Sequence, residues 1–148
     1  MAAPGLALVD YGTSNLLSIQ KALERCGATV RRVDQGRDLL PADGIVLPGV
    51  GNFGKASDNL RDRGLMEPLR RVLAEGRPFL GICLGFQLLF EESEEAPGKP
   101  GLGFLPGKVV RFRKAPRVPH MGWSPVTESL EPPGRQDAKQ PCYYFVHS

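Results

Sequence analysis

Uniformly apolar runs alternate with amphipathic ones along the first ninety residues. "GLALVD" (5–10) is apolar until Asp10, as a strand buried on both faces is, and "YGTSN" ends it in a turn. Leu16, Ile19, Leu23 and Cys26 then recur at helical spacing; Ser14 or Asn15 can cap this helix and Gly27 stops it. "ATVRRV" (28–33) reads as a second strand, and "GIVLPG" (44–49) as a third that runs into the glycine-rich "PGVGNFG". A helical region is expected from Ala56 to Glu75, broken at Gly64 and Pro68. "PFLGI" (78–82) is a fourth strand, apolar throughout as a central parallel strand should be, and "FQLLFEES" continues from Cys83 as a helix.

This alternation predicts an α/β fold: a doubly wound, mostly parallel sheet with helices on both faces and right-handed connections. After Glu95 the pattern changes. "EAPGKPGLGFLPG" reads as loops, "KVVRF", "SPVT" and "YYFVHS" as short strands, and residues 129–141 as an exposed loop. The C-terminal region is therefore β-rich. There is no internal repeat, and residues 1–148 are expected to form a single domain.

Composition narrows the class without changing the fold. Hydrophobic residues make up 41% of the chain and charged residues 24%, as in ordinary globular proteins. No apolar run approaches the roughly 18 residues of a membrane span. The N-terminus lacks a basic segment before its apolar stretch, so we expect no signal peptide, a cytoplasmic protein and no membrane partner. The net charge of +3 is mild. Its densest basic stretch, "RFRKAPR" (111–117), carries one aromatic and no nucleic-acid motif; it reads as a solvated or partner-facing surface, with an anionic ligand as the alternative. The cysteines Cys26, Cys83 and Cys142 cannot all pair within one chain and form no C-x-x-C, which argues against a disulfide framework or a zinc site. No metal is expected.

Candidate chemistry concentrates at "GICLGFQLLF" (81–90). A cysteine between glycines is often a small buried hydrophobe. Here, however, Cys83 falls where a strand turns into a helix, the arrangement of a G-x-S-x-G nucleophile elbow with cysteine in place of serine. Gly81 and Gly85 remove side chains that would crowd a sharp turn. The helix start favours a thiolate, and the N–H of Leu84 faces an oxyanion formed on an attacked carbonyl. "LPGVGNFG" (47–54) also follows a strand and should reach the same edge of the sheet, where a backbone N–H could act as a second oxyanion donor. It is not a phosphate-binding P-loop, because no Gly-Lys-Ser/Thr follows.

"GICLGFQLLFEESEE" resembles the nucleophile elbow of the class I, triad-type glutamine amidotransferases. "DYGTSNLLSIQKAL", "LPGVGNFG", "GLGFLPGKVVRF", "VPHMGW" and "YYFVHS" narrow the resemblance to the glutaminase subunits of imidazole glycerol phosphate synthase, from about Leu6 to Ser148. The resemblance implies a flavodoxin-like fold and hydrolysis of glutamine to glutamate and ammonia. Cys83 would form a thioester, and the N–H of Leu84 would bind the oxyanion with a backbone N–H near Val50 and Gly51. Gln87 would bind the substrate through its side chain, and backbone at Gly49, His147 and Ser148 would bind its amino-acid moiety. Ammonia would pass through a (β/α)₈-barrel cyclase partner, in a heterodimer, to a ribulosyl phosphate substrate in histidine biosynthesis. No cofactor is implied.

Two departures accompany the resemblance. Ser14 stands where relatives commonly have glycine. The family's base and carboxylate lie in a His-Pro-Glu stretch, whereas the histidines here are His120 and His147, in segments that are not catalytic in the family. The expectation is a domain lacking its C-terminal part, with turnover by the 148 residues alone nearly abolished. Three alternatives stay open: a non-catalytic subunit that binds glutamine or a partner, another class I glutamine amidotransferase, and a cysteine hydrolase using His120 or His147 as base.

Overall fold

A computed structural model describes residues 3–12, 15–126 and 141–148. The chain forms two compact units, residues 1–110 and residues 111–148. The possible cap Ser14 and nearly all of the loop expected at 129–141 lie outside the described residues.

The first unit is built on a four-stranded parallel sheet. Its strands are β1 (Gly5–Val9), β2 (Thr29–Val33), β3 (Gly44–Gly49) and β4 (Phe79–Cys83), in the order β2-β1-β3-β4. Both faces of the inner strands are apolar, which is why β1 and β3 read as near-continuous hydrophobic runs, whereas β2 carries the exposed Arg31 and Arg32. On one face Ala7, Val9, Ile45 and Leu47 join the main core, under α2 (Phe53–Asp62) and α3 (Met66–Ala74). Phe53, Ala56 and Leu60 of α2 and Leu69 and Val72 of α3 are fully buried in it. On the other face Leu8 and Val46 meet Leu16, Ile19 and Leu23 of α1 (Leu16–Arg25). Helices therefore cover both faces, as expected.

Several elements differ from the sequence reading, each for a local reason. The helix expected from Ala56 to Glu75 breaks at Gly64, where φ is +64°, but not at Pro68. Pro68 lies in the first turn of α3, where a missing N–H has no helical acceptor to lose. "FQLLFEES" is not one helix. The one-turn α4 (Leu84–Gln87) gives way to β5 (Phe90–Ser93), which pairs in parallel with β6 (Leu105–Val109). The N–H groups of Gly101, Leu102 and Phe104 donate to the carbonyls of Glu91, Leu88 and Leu89. The returning segment thus captures backbone that a longer helix would have used internally, and tertiary pairing overrides helical propensity. β4, expected at the centre of the sheet, pairs only with β3 among the described residues. Its apolar sequence reports packing on its two faces, not a central position; Leu80 is half exposed.

The second unit carries an antiparallel pair, β7 (His120–Pro125) and β8 (Cys142–His147). "VPHMGW" thus supplies most of a strand, which ends where "SPVT" was expected to form one. His120 pairs with His147 and Trp123 with Tyr144. The period of two leaves Met121, Trp123, Tyr144 and Val146 exposed on one face. Among the described residues, no helix is long and apolar enough to cross a membrane.

Candidate active site

β3 and β4 run side by side and end together, Gly49 opposite Cys83. At Cys83 the chain turns from strand to helix with φ +55° and ψ −115°; Cys83 is the one non-glycine residue at positive φ among the described residues. Such a conformation costs about 1–3 kcal/mol and persists only where its surroundings impose it.

The glycines around Cys83 show what imposes it. A Cβ on Gly81 would lie 2.7 Å from the Cα and 2.8 Å from the N of Phe86. A Cβ on Gly85 would overlap the carbonyl of Leu47, on the neighbouring strand. A Cβ on Gly49 would lie 2.7 Å from the Gly85 amide nitrogen and 2.8 Å from the Leu84 Cβ. The first turn of α4 therefore rests directly on the ends of β3 and β4. This crossing needs three glycines, of which the sequence reading assigned that steric role to Gly81 and Gly85. The fold leaves Cys83 exposed at the edge of the sheet while Leu84 is buried beneath the turn.

If the turn stores strain, glycine at position 83 should release it. Cys83→Gly is expected to stabilise the protein by about 1 kcal/mol, net of glycine's larger unfolded-state entropy, while Cys83→Ala gains nothing. Thermal unfolding of both variants checks this, and equal midpoints would argue against a strained turn.

The N–H groups of Leu84, Gly85 and Phe86 have no i−4 acceptor within so short a helix. Leu84, the expected oxyanion donor, follows Cys83 directly as the first residue of α4. A single turn supplies oriented N–H groups rather than the macrodipole of a long helix. Gln87, in the same turn, is half buried. Val50 and Gly51 continue from Gly49 as exposed backbone, with Gly51 at φ +93°.

Two residues that the sequence reading passed over hold this segment. The Tyr11 hydroxyl donates to the Pro48 carbonyl at 2.8 Å. Glu95 Oε2 accepts from the Phe53 N–H at 2.9 Å, at the start of α2, beside the Asn52 side chain that caps Lys55 N–H. The loop bearing Glu95 is itself strapped to α2: Ser57 Oγ donates to the Pro100 carbonyl, and Lys99 pairs with Asp58. That ammonium holds the Asp58 carboxyl below its ordinary range. The only sequence signal for Glu95 was its place in an acidic run.

His147 and Ser148 lie at the end of β8, in the second unit. The His147 ring lies tilted at 60° to that of His120, with centroids 5.3 Å apart, and His120 Nε2 lies 3.1 Å from Ser124 Oγ. These residues line a groove of about 420 Å³ with Phe112, Arg117 and Phe145. Among the described residues, no group of three or more His, Cys, Asp and Glu side chains could hold a metal.

The arrangement of Cys83 can be set beside known proteins. The family model for "Glutamine amidotransferase class-I" matches residues 7–147. The chain is 48% identical to the "Imidazole glycerol phosphate synthase subunit HisH" of Gloeothece citriformis, over 97% of this chain and 69% of that protein. It is 48% identical to the protein of the same name from Nostoc punctiforme, over 98% of this chain and 70% of that one. Among solved structures, one described as "Crystal structure of glutamine amidotransferase" superposes with a TM-score of 0.67 at 23% identity, over 80% of this chain and 62% of that one; this likeness concerns the fold. The elbow at Cys83 and the glycine-rich strand end opposite it both lie within the matched span, and the chain belongs to the class-I glutamine amidotransferase family.

Proposed function

We propose that the chain is the glutaminase subunit of an imidazole glycerol phosphate synthase and acts in histidine biosynthesis. The observation that carries this reading is the exposed Cys83 on a strained strand-to-helix turn, paired with Gly49 of the glycine-rich segment. The 48% identity to subunits of that synthase directs it to this member of the family.

In this reading the Cys83 sulfur attacks the side-chain amide carbon of glutamine. A C–S bond forms and negative charge develops on the amide oxygen, which the Leu84 N–H and an N–H at Val50 or Gly51 would hold. The C–N bond then breaks, and the nitrogen takes a proton and leaves as ammonia. Water adds to the thioester, giving glutamate and restoring the thiol. Gln87 would hold the substrate through its side chain, and backbone at Gly49 would hold the amino-acid moiety. Neither His120 nor His147 is assigned the role of base; no His-Pro-Glu run occurs in these 148 residues. The chemistry calls on no metal or cofactor.

Released ammonia would pass to a (β/α)₈-barrel cyclase subunit. The exposed stripe of Met121, Trp123, Tyr144 and Val146, with Trp123 72% exposed, supports a partner-facing surface of this kind. Ammonia formed without an acceptor is wasted, so the glycine-rich segment is the natural switch. Losing one oxyanion donor costs roughly 10²–10³ in rate, so in a chain supplied with a His-Pro-Glu segment the barrel subunit with its acceptor ligand should stimulate hydrolysis by at least that factor. Ammonia release from glutamine by a chain supplied with a His-Pro-Glu segment, measured with and without the barrel subunit and its acceptor, tests the reading. Equal rates would contradict the switch, and no release in either condition would contradict the function.

A further inference from the structure

Tyr11 closes the turn after β1, and its ring is buried in the main core at 1% exposure. Its hydroxyl bonds the Pro48 carbonyl across 37 residues of sequence. A Cβ on Gly49 would stand 2.6 Å from the same phenol oxygen, so Gly49 is enclosed between Tyr11 and the first turn of α4. Tyr11 is anchored in turn: Asn59 Nδ2, on α2, donates to its carbonyl at 3.1 Å.

The position of this bond matters. Pro48 carries the last carbonyl before the glycine-rich segment. The peptide group is planar, so holding that carbonyl fixes the Pro48–Gly49 plane as a whole. At the far end Glu95 fixes the N–H of Phe53. Between these two anchors lie Gly49, Val50, Gly51 and Asn52, the residues opposite and beyond Cys83 in the register.

We propose that Tyr11 is a positioning residue of the glutaminase site. By holding the Pro48 carbonyl it confines rearrangement of the segment to the peptides after Gly49. An N–H at Val50 or Gly51 is then presented to the oxyanion at a fixed place beside Cys83. The assignment rests on the function proposed above and deepens it.

Tyr11→Phe keeps the ring and removes the donor. Two alkylations of Cys83 are compared, in complex with the barrel subunit. A chloromethyl ketone analogue of glutamine reacts by sulfur addition to its carbonyl, which places negative charge on oxygen before the C–S bond to the adjacent carbon forms and chloride leaves. Iodoacetamide loses iodide to the sulfur with no such oxyanion. In Tyr11→Phe the ketone reaction should slow about tenfold, with the iodoacetamide rate within about twofold of wild type. In a chain supplied with a His-Pro-Glu segment, the kcat for ammonia release should fall by the same factor with KM for glutamine unchanged. Two rates that fall together, or neither falling, overturn the assignment. Incorporating 4-aminophenylalanine at position 11 restores a donor, and should hold the ratio of rates near wild type whether or not Tyr11→Phe folds. A tenfold loss there assigns the effect to packing and overturns the proposal. If wild-type Cys83 ignores the ketone altogether, the glutaminase reading itself fails. If the wild type reacts and the variant matches it, only the role of Tyr11 fails.

Discussion

In a chain supplied with a His-Pro-Glu segment, Cys83→Ala is expected to lower ammonia release from glutamine by roughly 10⁴-fold or more, with the fold and partner binding intact. The proposed reaction passes through a bond to the Cys83 sulfur, and nothing else at the elbow can form that bond. In the proposed reaction the Leu84 N–H and the glycine-rich segment would stabilise charge; they would not supply a nucleophile. The side chain is exposed, so its loss removes little packing. Alanine also keeps the positive φ, and with it the strain. The activity should therefore disappear while the unfolding midpoint stays close to that of the parent protein, a combination that separates a chemical role from a structural one. Ammonia assays and thermal unfolding on the same preparation check it. A variant that retains a substantial fraction of the parent rate would place the nucleophile elsewhere.

Gly85→Ala is expected to have the largest effect on stability. Its new methyl group would overlap the Leu47 carbonyl. That obstacle is backbone in the middle of the sheet, with β1 on one side of β3 and β4 on the other. It cannot swing aside as a flexible side chain would, so β3 and α4 must separate and lose contacts of the fully buried Leu47. A loss of about 3 kcal/mol follows, a large part of the 5–15 kcal/mol that holds a typical domain together. Gly5→Ala is the matched control. Its methyl would meet only Asp43 Oδ2, at 3.4 Å, and the expected cost is under about 1 kcal/mol. Denaturant midpoints of the two variants give the comparison. A Gly85→Ala protein as stable as Gly5→Ala would show that α4 does not cross β3 this closely.

The elbow was legible in the sequence because its constraint is local. Gly81, Cys83 and Gly85 stand within five residues, between an apolar strand and a helical start, and the steric need for glycine follows from that spacing. The ends of β1, β3 and α1 were legible for a similar reason, since Asp10, Gly49 and Gly27 sit where the periodicity stops. The residues after Gln87 were not legible in this way. Phe86, Leu89 and Phe90 are spaced as a helix would space them, but the acceptors at Leu88–Glu91 are taken by residues 101–104, and nothing near residue 90 announces that return. That β4 pairs only with β3 among the described residues was hidden because apolar faces look alike in edge and central strands. Tyr11 and Glu95 were hidden because their partners, Pro48 and Phe53, lie 37 and 42 residues away. A tyrosine in a turn and a glutamate in an acidic run carry no local mark of these roles.

The account stands or falls on Cys83 as the atom that meets the glutamine amide, and the chain's own cysteines offer a strict internal comparison. Cys26, Cys83 and Cys142 are all exposed and none is in a disulfide, so exposure alone would let a thiol reagent reach each of them. The decisive measurement is peptide mapping after limited reaction with the chloromethyl ketone analogue of glutamine, repeated with excess glutamine. The account predicts label on Cys83 well ahead of the other two, and suppression of that label by glutamine. Label spread over all three cysteines, or indifferent to glutamine, would contradict it.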